Sequence, residues 1–400
     1  MKSATTRPPS PIEMPGALLF DVGSLAQQLE TLSDPRHRRG IRFQLPILLL
    51  LVVLAKLAGE DRPSGIADWV RLRKDQFCAA LQLAWRAMPH PNTFRRILAD
   101  VVSPSELDGC LQEFFGHLPA VGHSVLIAID GKTIRGTISA DQPRGEHLLC
   151  AYLPEEGIVL FQVAAGHKEN EISVAPTLLA ALDLRGKVVM GDAMHTQRAL
   201  SLQILAAEGD YVWITKDNQP TLRDDIAQVF APSDPTPEGG RFPSEGQSVR
   251  GVTKGPGRRE IRTMTVSSVL KGYSDWPGME QVFKLERQRD LLAEGKVTRE
   301  VVYGLTSLSR TQAGPRTLLA FTRTYWGIEN GLHHRRDVTF KEDATRLTQG
   351  SAGRVMAILN TLVIGLLRYL GYTNIAQARR FYDADPSLAI RLVTTVPRRL

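Results

Sequence analysis

Cysteine is scarce in this chain. Cys78, Cys110 and Cys150 are widely spaced among 400 residues and form no CxxC pair. That excludes a disulfide framework and a zinc knuckle, and it suits a reducing cytoplasm. Long hydrophobic runs are missing too. The most apolar segment, PILLLLVVLA from Pro46 to Ala55, is stopped by Lys56. It falls well short of the roughly 20 residues a membrane span needs, so a buried core helix and no membrane partner are expected. The opening MKSATTRPPSPIEMPG lacks a secretory pattern; polar and Pro-rich, it reads as a disordered tail over residues 1–20. Nucleotide loops are lacking as well. GKT at 131–133 follows a strand, but a Walker loop needs glycine where Leu126 stands, and GPGRRE at 255–260 lacks the third glycine of a dinucleotide loop.

Acidic residues are the minority. The formal charge is +7 and the pI about 9.4, which suits a polyanionic partner. The excess sits at the ends: residues 1–100 hold 14 Lys and Arg against 9 Asp and Glu, and residues 376–400 hold 5 against 2. The middle is close to neutral. Basic ends suit contacts to phosphate backbones, and a centre poorer in positive charge suits carboxylates gathered for metal. A mildly basic solvated surface would give the same totals. The apolar fraction, 43%, is enough for a core of normal size in two or three domains.

Residues 21–118 carry helical patterns: SLAQQLETLSD, RFQLPILLLLVVLAKLAG ending before Gly59, and SGIADWVRLRKDQFCAAL as one helix with Ile66, Trp69, Val70, Phe77 and Leu81 at helical spacing. In PHPNTFRRILADV, Asn92 is placed to cap a helix starting at Thr93. Arg95 and Arg96 near its start suit contact with a nucleic-acid backbone, although an ordinary amphipathic helix with exposed arginines has the same look. From about 124 the order becomes strand, strand, strand, helix, strand, helix, strand, helix, a mixed α/β sheet with an antiparallel start. Residues 232–315 break that rhythm. PSDPTPEGGRFPSEGQS is a loop by composition, and REIRTMTVSSVL, QVFKLERQRD and VTREVVYGLTSL run like strands. This is expected to be a β-rich insertion. Residues 316–375 return to helix and 376–400 are taken as a basic tail, which leaves 119–231 as the first part of the α/β domain.

Three acids stand out in this frame. Asp130 ends the apolar run VLIAID, Asp192 ends KVVMGD, and Glu329 lies in the helix-like YWGIENGLHHRRDV. A strand-end Asp alone more often caps a turn. Together the three could converge where strand ends form a crevice and hold two magnesium ions about 4 Å apart, which activate one oxygen and stabilise another at phosphorus. Glu329 and His333, one helical turn apart, could instead suit zinc with His334, but no second histidine cluster supports that, and a hydrogen-bonding His333 fits better.

The blocks VLIAIDGKTIRGT, HKENEISVAPTLL, GDAMHTQRAL, TKDNQPTL and RTYWGIENGLHHRRDVTFKEDATR resemble those of bacterial insertion-sequence DDE transposases, in the H-repeat-associated branch of the insertion-sequence-four-like group. The resemblance runs from about residue 25 to 375. It implies an RNase H-like catalytic domain with a β insertion and a helical N-terminal domain. It also implies a reaction: water, activated by Mg²⁺ (Mn²⁺ as a substitute), cuts at the transposon end, and the freed 3′-OH attacks target DNA. Asp130, Asp192 and Glu329 match the triad. Lys132, His195, Lys216, Asn330, Asp337 and Arg346 fall in the same blocks as supporting residues, the Lys and Arg holding phosphates. The implied partners are terminal inverted repeats and target DNA, with a homodimer assembled on them in a bacterial cytoplasm, at the nucleoid. Position 325 is Tyr where the branch usually has His, 334 is His where it usually has Trp, and Pro256 replaces a His. The alternatives are a transposase-derived DNA-binding protein without catalysis and a nuclease of the same fold that cuts without joining.

Overall fold

A computed structural model of the chain describes residues 23–118, 125–139, 143–166, 169–231, 246–291 and 295–397. The expected tail over 1–20 and most of the loop expected over 232–248 lie outside the described residues. The described residues fall into two compact units. One is drawn from Met1–Val121, Ile134–Gly145 and His334–Leu400, the other from Gly122–Thr133 and Glu146–His333.

The first unit is helical. Its helices before the sheet are α1 (Leu25–Leu29), α2 (Leu45–Leu57), α3 (Pro63–Leu72), α4 (Lys74–Ala80), α5 (Pro91–Arg96) and α6 (Pro104–Gly116). Helix α2 is apolar all round and buried along nearly its whole length, the signature of a central core helix. The single helix expected over 64–81 is two, broken at Arg73. The break has a packing reason. Trp69 and Phe77, eight residues apart, would be separated by about 12 Å along a straight helix, yet their rings meet at 5.3 Å. The cap of α5 is also not Asn92: His90 Nδ1 accepts from the Asn92 N–H at 3.2 Å and Pro91 opens the helix, the position where proline is favoured.

The expected basic tail is largely helical. After α11 (Ala352–Tyr369) come α12 (Ile375–Ala384) and α13 (Pro386–Thr394), which bury Ile375, Ala378, Tyr382, Ala389, Ile390 and Val393. An apolar stripe, not charge, decides their fate. Arg379 of α12 donates to the Lys56 carbonyl at 2.9 Å and to Asp61 Oδ2 at 2.7 Å, and Lys56 reaches Asp61 Oδ1 at 3.1 Å. That pairing lets a lysine sit fully buried in the last turn of α2. Helix α11 is long and apolar enough to cross a membrane by length and composition alone, but 89% of it is buried within the fold.

The second unit is built on one nine-stranded sheet in the order β3-β2-β1-β4-β5-β9-β8-β7-β6. Its first five strands are β1 (Leu126–Ile134), β2 (Glu146–Leu153), β3 (Ile158–Ala165), β4 (Val188–Gly191) and β5 (Asp210–Thr215). β2 and β3 form the antiparallel hairpin over the Pro154–Gly157 turn, and β1, β4 and β5 run parallel. Helices α7 (Glu171–Ala180), α8 (Arg198–Ala206) and α9 (Pro220–Val229) make the crossovers. This is an α/β fold with an RNase H-like mixed sheet.

The β-rich insertion is β6 (Gln247–Gly255), β7 (Arg258–Ser267), β8 (Gln281–Leu291) and β9 (Lys296–Thr306). It extends the same sheet: β9 pairs antiparallel with β5, and β8, β7 and β6 follow antiparallel. Gly304 lies at the seam. A Cβ there would stand 2.3 Å from the Trp213 carbonyl and 2.2 Å from the Phe283 ring, so only glycine lets β9 close on β5. Strand β6 carries no signal in the sequence reading, because nearly every position is exposed and apolar alternation is lost. Helix α10 (Pro315–Tyr325) packs on β6 and β7.

Candidate active site

Asp130 does not end its strand. β1 continues through Gly131–Ile134, but its parallel pairing with β4 stops at Ala128↔Met190. Asp130 therefore stands two residues past the last parallel pair, where β1 outruns its short neighbour. Asp192 follows Gly191 directly and caps a 3-10 turn, Ala193–His195, by accepting from the Met194 N–H at 3.0 Å. Both acids sit at the C-terminal edge of the parallel ladder, where open α/β sheets form their crevices. Glu329, exposed, starts a π turn, Glu329–His333, four residues after the end of α10. Such turns shift side chains off helical register and recur at functional sites.

A buried phenol lies within Coulombic reach of all three. Burial pushes the Tyr325 hydroxyl well above its ordinary range, and Asp130, Asp192, Glu171 and Glu329 push it further, in that order. Four carboxylates thus lie within Coulombic reach of one side chain. The Tyr325 hydroxyl donates a long bond, 3.5 Å, to the Ile129 carbonyl.

Histidines stand against the two aspartates. His333 Nε2 lies 3.2 Å from Asp130 Oδ2. His195, with no exposed surface, bridges Asp192 Oδ1 at 3.0 Å and Glu171 Oε2 at 3.4 Å through its two ring nitrogens. Glu171 also meets His147 Nε2 at 3.0 Å, and His147 Nδ1 meets Thr133 Oγ at 2.8 Å. Burial raises the Asp192 carboxyl, but the hydrogen bond and charge of His195, with the Met194 N–H, outweigh it and hold the group below the usual range. Gly131 is part of the same packing: a Cβ there would lie 2.2 Å from the Glu171 carboxyl.

Other residues singled out in the sequence scatter. Lys132 is two residues beyond Asp130 on the same face of β1. Lys216 follows β5 at the same sheet edge, exposed. Asn330 is next to Glu329 and exposed. Arg95, Arg96, Asp337 and Arg346 belong to the helical unit. There Arg95 and Arg346 line one cavity of about 340 Å³, with Arg62 and Lys341. Arg96 lines a separate one with Arg36 and Arg42. The reading of the residues did not single out Glu171, His147 or Tyr325 by role. Glu171 lies within the HKENEIS block and Tyr325 within YWGIEN, but nothing in either pattern distinguishes a second-rank acid or a buried phenol from its neighbours.

Among the described residues, no three of His, Cys, Asp and Glu converge closely enough to hold an ion unaided. Magnesium usually takes one or two carboxylates, with waters and substrate phosphates completing its shell. Carboxylates at a sheet edge, with Asp192 half exposed, fit that habit. A tetrahedral zinc site would need more protein ligands.

The comparisons agree with this architecture. The family model of the transposase DDE domain matches residues 122–366, and a model described as DDE_Tnp_1-associated matches residues 26–115. YhhI of Escherichia coli (strain K12), named as H repeat-associated, is 26% identical over 355 residues, covering 87% of this chain and 91% of its own. An uncharacterized protein in the dhlA 3′ region of Xanthobacter autotrophicus is 31% identical over 277 residues, 68% of this chain and 90% of its own. A solved piggyBac transposase synaptic complex with hairpin DNA covers 93% of this chain and 77% of that chain at TM-score 0.41 and 10% identity, too loose a likeness to bear on the site. The chain belongs to the transposase DDE family, and relatives named H repeat-associated are among the proteins it resembles.

Proposed function

We propose that this protein is a DNA transposase that binds the ends of an insertion sequence, cuts them in a magnesium-dependent step and joins the freed 3′-OH to target DNA. The observation that carries the reading is the placement of Asp130 and Asp192 at the C-terminal edge of the parallel strands, with both of them and Glu329 within Coulombic reach of the buried Tyr325. These three acids would hold two magnesium ions, with manganese as a substitute. When bound, such ions activate one oxygen and stabilise charge on the other at the scissile phosphorus. His333 and His195 orient the Asp130 and Asp192 carboxylates. Lys132 and Lys216, at the same sheet edge, take phosphates of the strand being cut, and Asn330 faces the strand beside Glu329. Arg95, Arg96 and Arg346 contact DNA backbone from the helical unit, where Asp337 supports the local packing. Two copies of the chain pair on the two element ends.

Glu329→Gln removes one anionic ligand and keeps the side chain's shape. Cleavage of a duplex carrying the element's inverted repeat should fall at least 100-fold, about 3 kcal/mol in the barrier, while DNA affinity stays within a few fold. Unchanged cleavage would overturn the assignment. Strand-transfer products from wild type distinguish a joining enzyme from a nuclease. Metal-independent binding without cleavage would mark a DNA-binding derivative.

A further inference from the structure

The inserted strands carry a second charged constellation next to the Glu329 segment. On β7, Arg258, Glu260 and Arg262 alternate along one face, and β8 places Arg287 opposite Arg262 and Arg289 opposite Glu260. Arg323 comes from α10. With Trp326, these five arginines line one open cavity of about 470 Å³. Like charges directly opposite across a sheet repel. Glu260 is the one acid in the lining and meets Arg262 at 2.7 Å and Arg289 at 3.4 Å. Burial lowers the Arg262 guanidinium below its ordinary range; Glu260 opposes this, and Arg323, Arg287 and Arg289 add to it.

Arg287 is the most informative member. It is only 8% exposed, its Nε has no hydrogen-bond partner, and its Nη1 reaches Glu300 no closer than 3.4 Å. Its guanidinium lies 5.1 Å from the Trp326 ring centroid. A cation this close to a ring face gains a cation–π contact and keeps donors to spare. Cations crowded this way, one of them buried, lower their free energy when an anion enters. Planar guanidinium forks match phosphate oxygens in pairs.

We propose that this cavity holds a backbone phosphate of the bound DNA strand. The inference rests on the reading of the protein as a DNA-processing enzyme and adds a substrate-positioning subsite to it. The four carboxylates around Tyr325 repel a phosphate chain. A strand entering that centre needs compensating charge close by, and Arg323, Trp326 and Asn330 bring the cavity to within about one helical turn of Glu329.

The test is salt dependence. Binding of a duplex carrying the element's end is followed by fluorescence anisotropy between about 50 and 200 mM salt, a range over which phosphate contacts dominate the slope. Arg323→Gln and Arg287→Gln should each lower the log–log slope by about 1, the signature of one lost phosphate. Arg185→Gln, at an exposed arginine paired with Asp183, should leave it unchanged. Arg323→Gln should melt no lower than wild type at low salt, because it removes a repelling charge. Arg323 is exposed on its helix, so its variant carries the test even if Arg287→Gln fails to fold. A wild-type slope in folded Arg323→Gln, with cleavage intact, overturns the subsite and leaves the proposed function standing. No DNA binding by wild type overturns both.

Discussion

At the scale of single residues, the acidic centre depends on histidines as much as on acids. His195 is held between Asp192 and Glu171 with no solvent to replace either partner. A neutral amide at 171 would remove the negative charge that faces the His195 ring. Groups in this supporting position are typically worth about 10- to 100-fold in metal affinity or activity. Glu171→Gln should therefore cut cleavage by about that factor and raise the magnesium concentration needed, with DNA affinity unchanged. Cleavage at the wild-type level and the wild-type magnesium midpoint would show that Glu171 merely fills space. The sequence made Asp130, Asp192 and Glu329 visible because each stands in a recognisable run. Glu171 and His147 act through side-chain geometry across separate strands and a helix, and no local pattern records that. Tyr325 was legible only as a departure from the branch's usual His; its burial among four carboxylates needed the fold.

At the scale of elements, the seam between β5 and β9 decides whether the insertion is rigidly attached. Gly304 pairs with Ile214 there. A larger side chain would meet the Phe283 ring and, as closely, the Trp213 carbonyl, a backbone atom that cannot swing aside. Overpacking of this kind costs about 1–3 kcal/mol. Gly304→Ala should lower the denaturation midpoint by a corresponding amount, measured by urea titration followed by circular dichroism; an unchanged midpoint would mean the seam yields freely. Period and turn chemistry announced the parallel strands and the β2–β3 hairpin well. They failed for β6, whose exposed edge is polar on both faces and carries Arg250 and Lys254, a common way to blunt an edge against aggregation. They also overstated helix 64–81, because the kink at Arg73 is made by the Trp69–Phe77 contact, not by a breaker residue.

At the scale of the whole molecule, net charge of +7 predicts strong electrolyte dependence. A protein that neutralises six to ten phosphates loses about 10³- to 10⁵-fold in affinity between 50 and 200 mM salt. End-DNA binding should show a loss of that order, checked by the same anisotropy titration; a flat profile would count against a phosphate-dominated interface. The fold class followed from the order of strands and helices. The C-terminal helices did not, since basic composition over 376–400 concealed an apolar stripe.

The continuity of the sheet has one more consequence. Because β9 joins β5 by hydrogen bonds, Asp192 after β4 and the arginines on β8 and β7 belong to one ladder. Strands are spaced about 4.8 Å apart, so the three steps from β4 to β8 and the four to β7 span roughly 14 and 19 Å. A base-pair step along each strand is about 3.4 Å. The sheet is in effect a ruler graduated in strands, and the distance from an anchored phosphate to the cutting point would be written into how many strands lie between them. Gain or loss of a hairpin would then change that distance in jumps of two strands, never gradually.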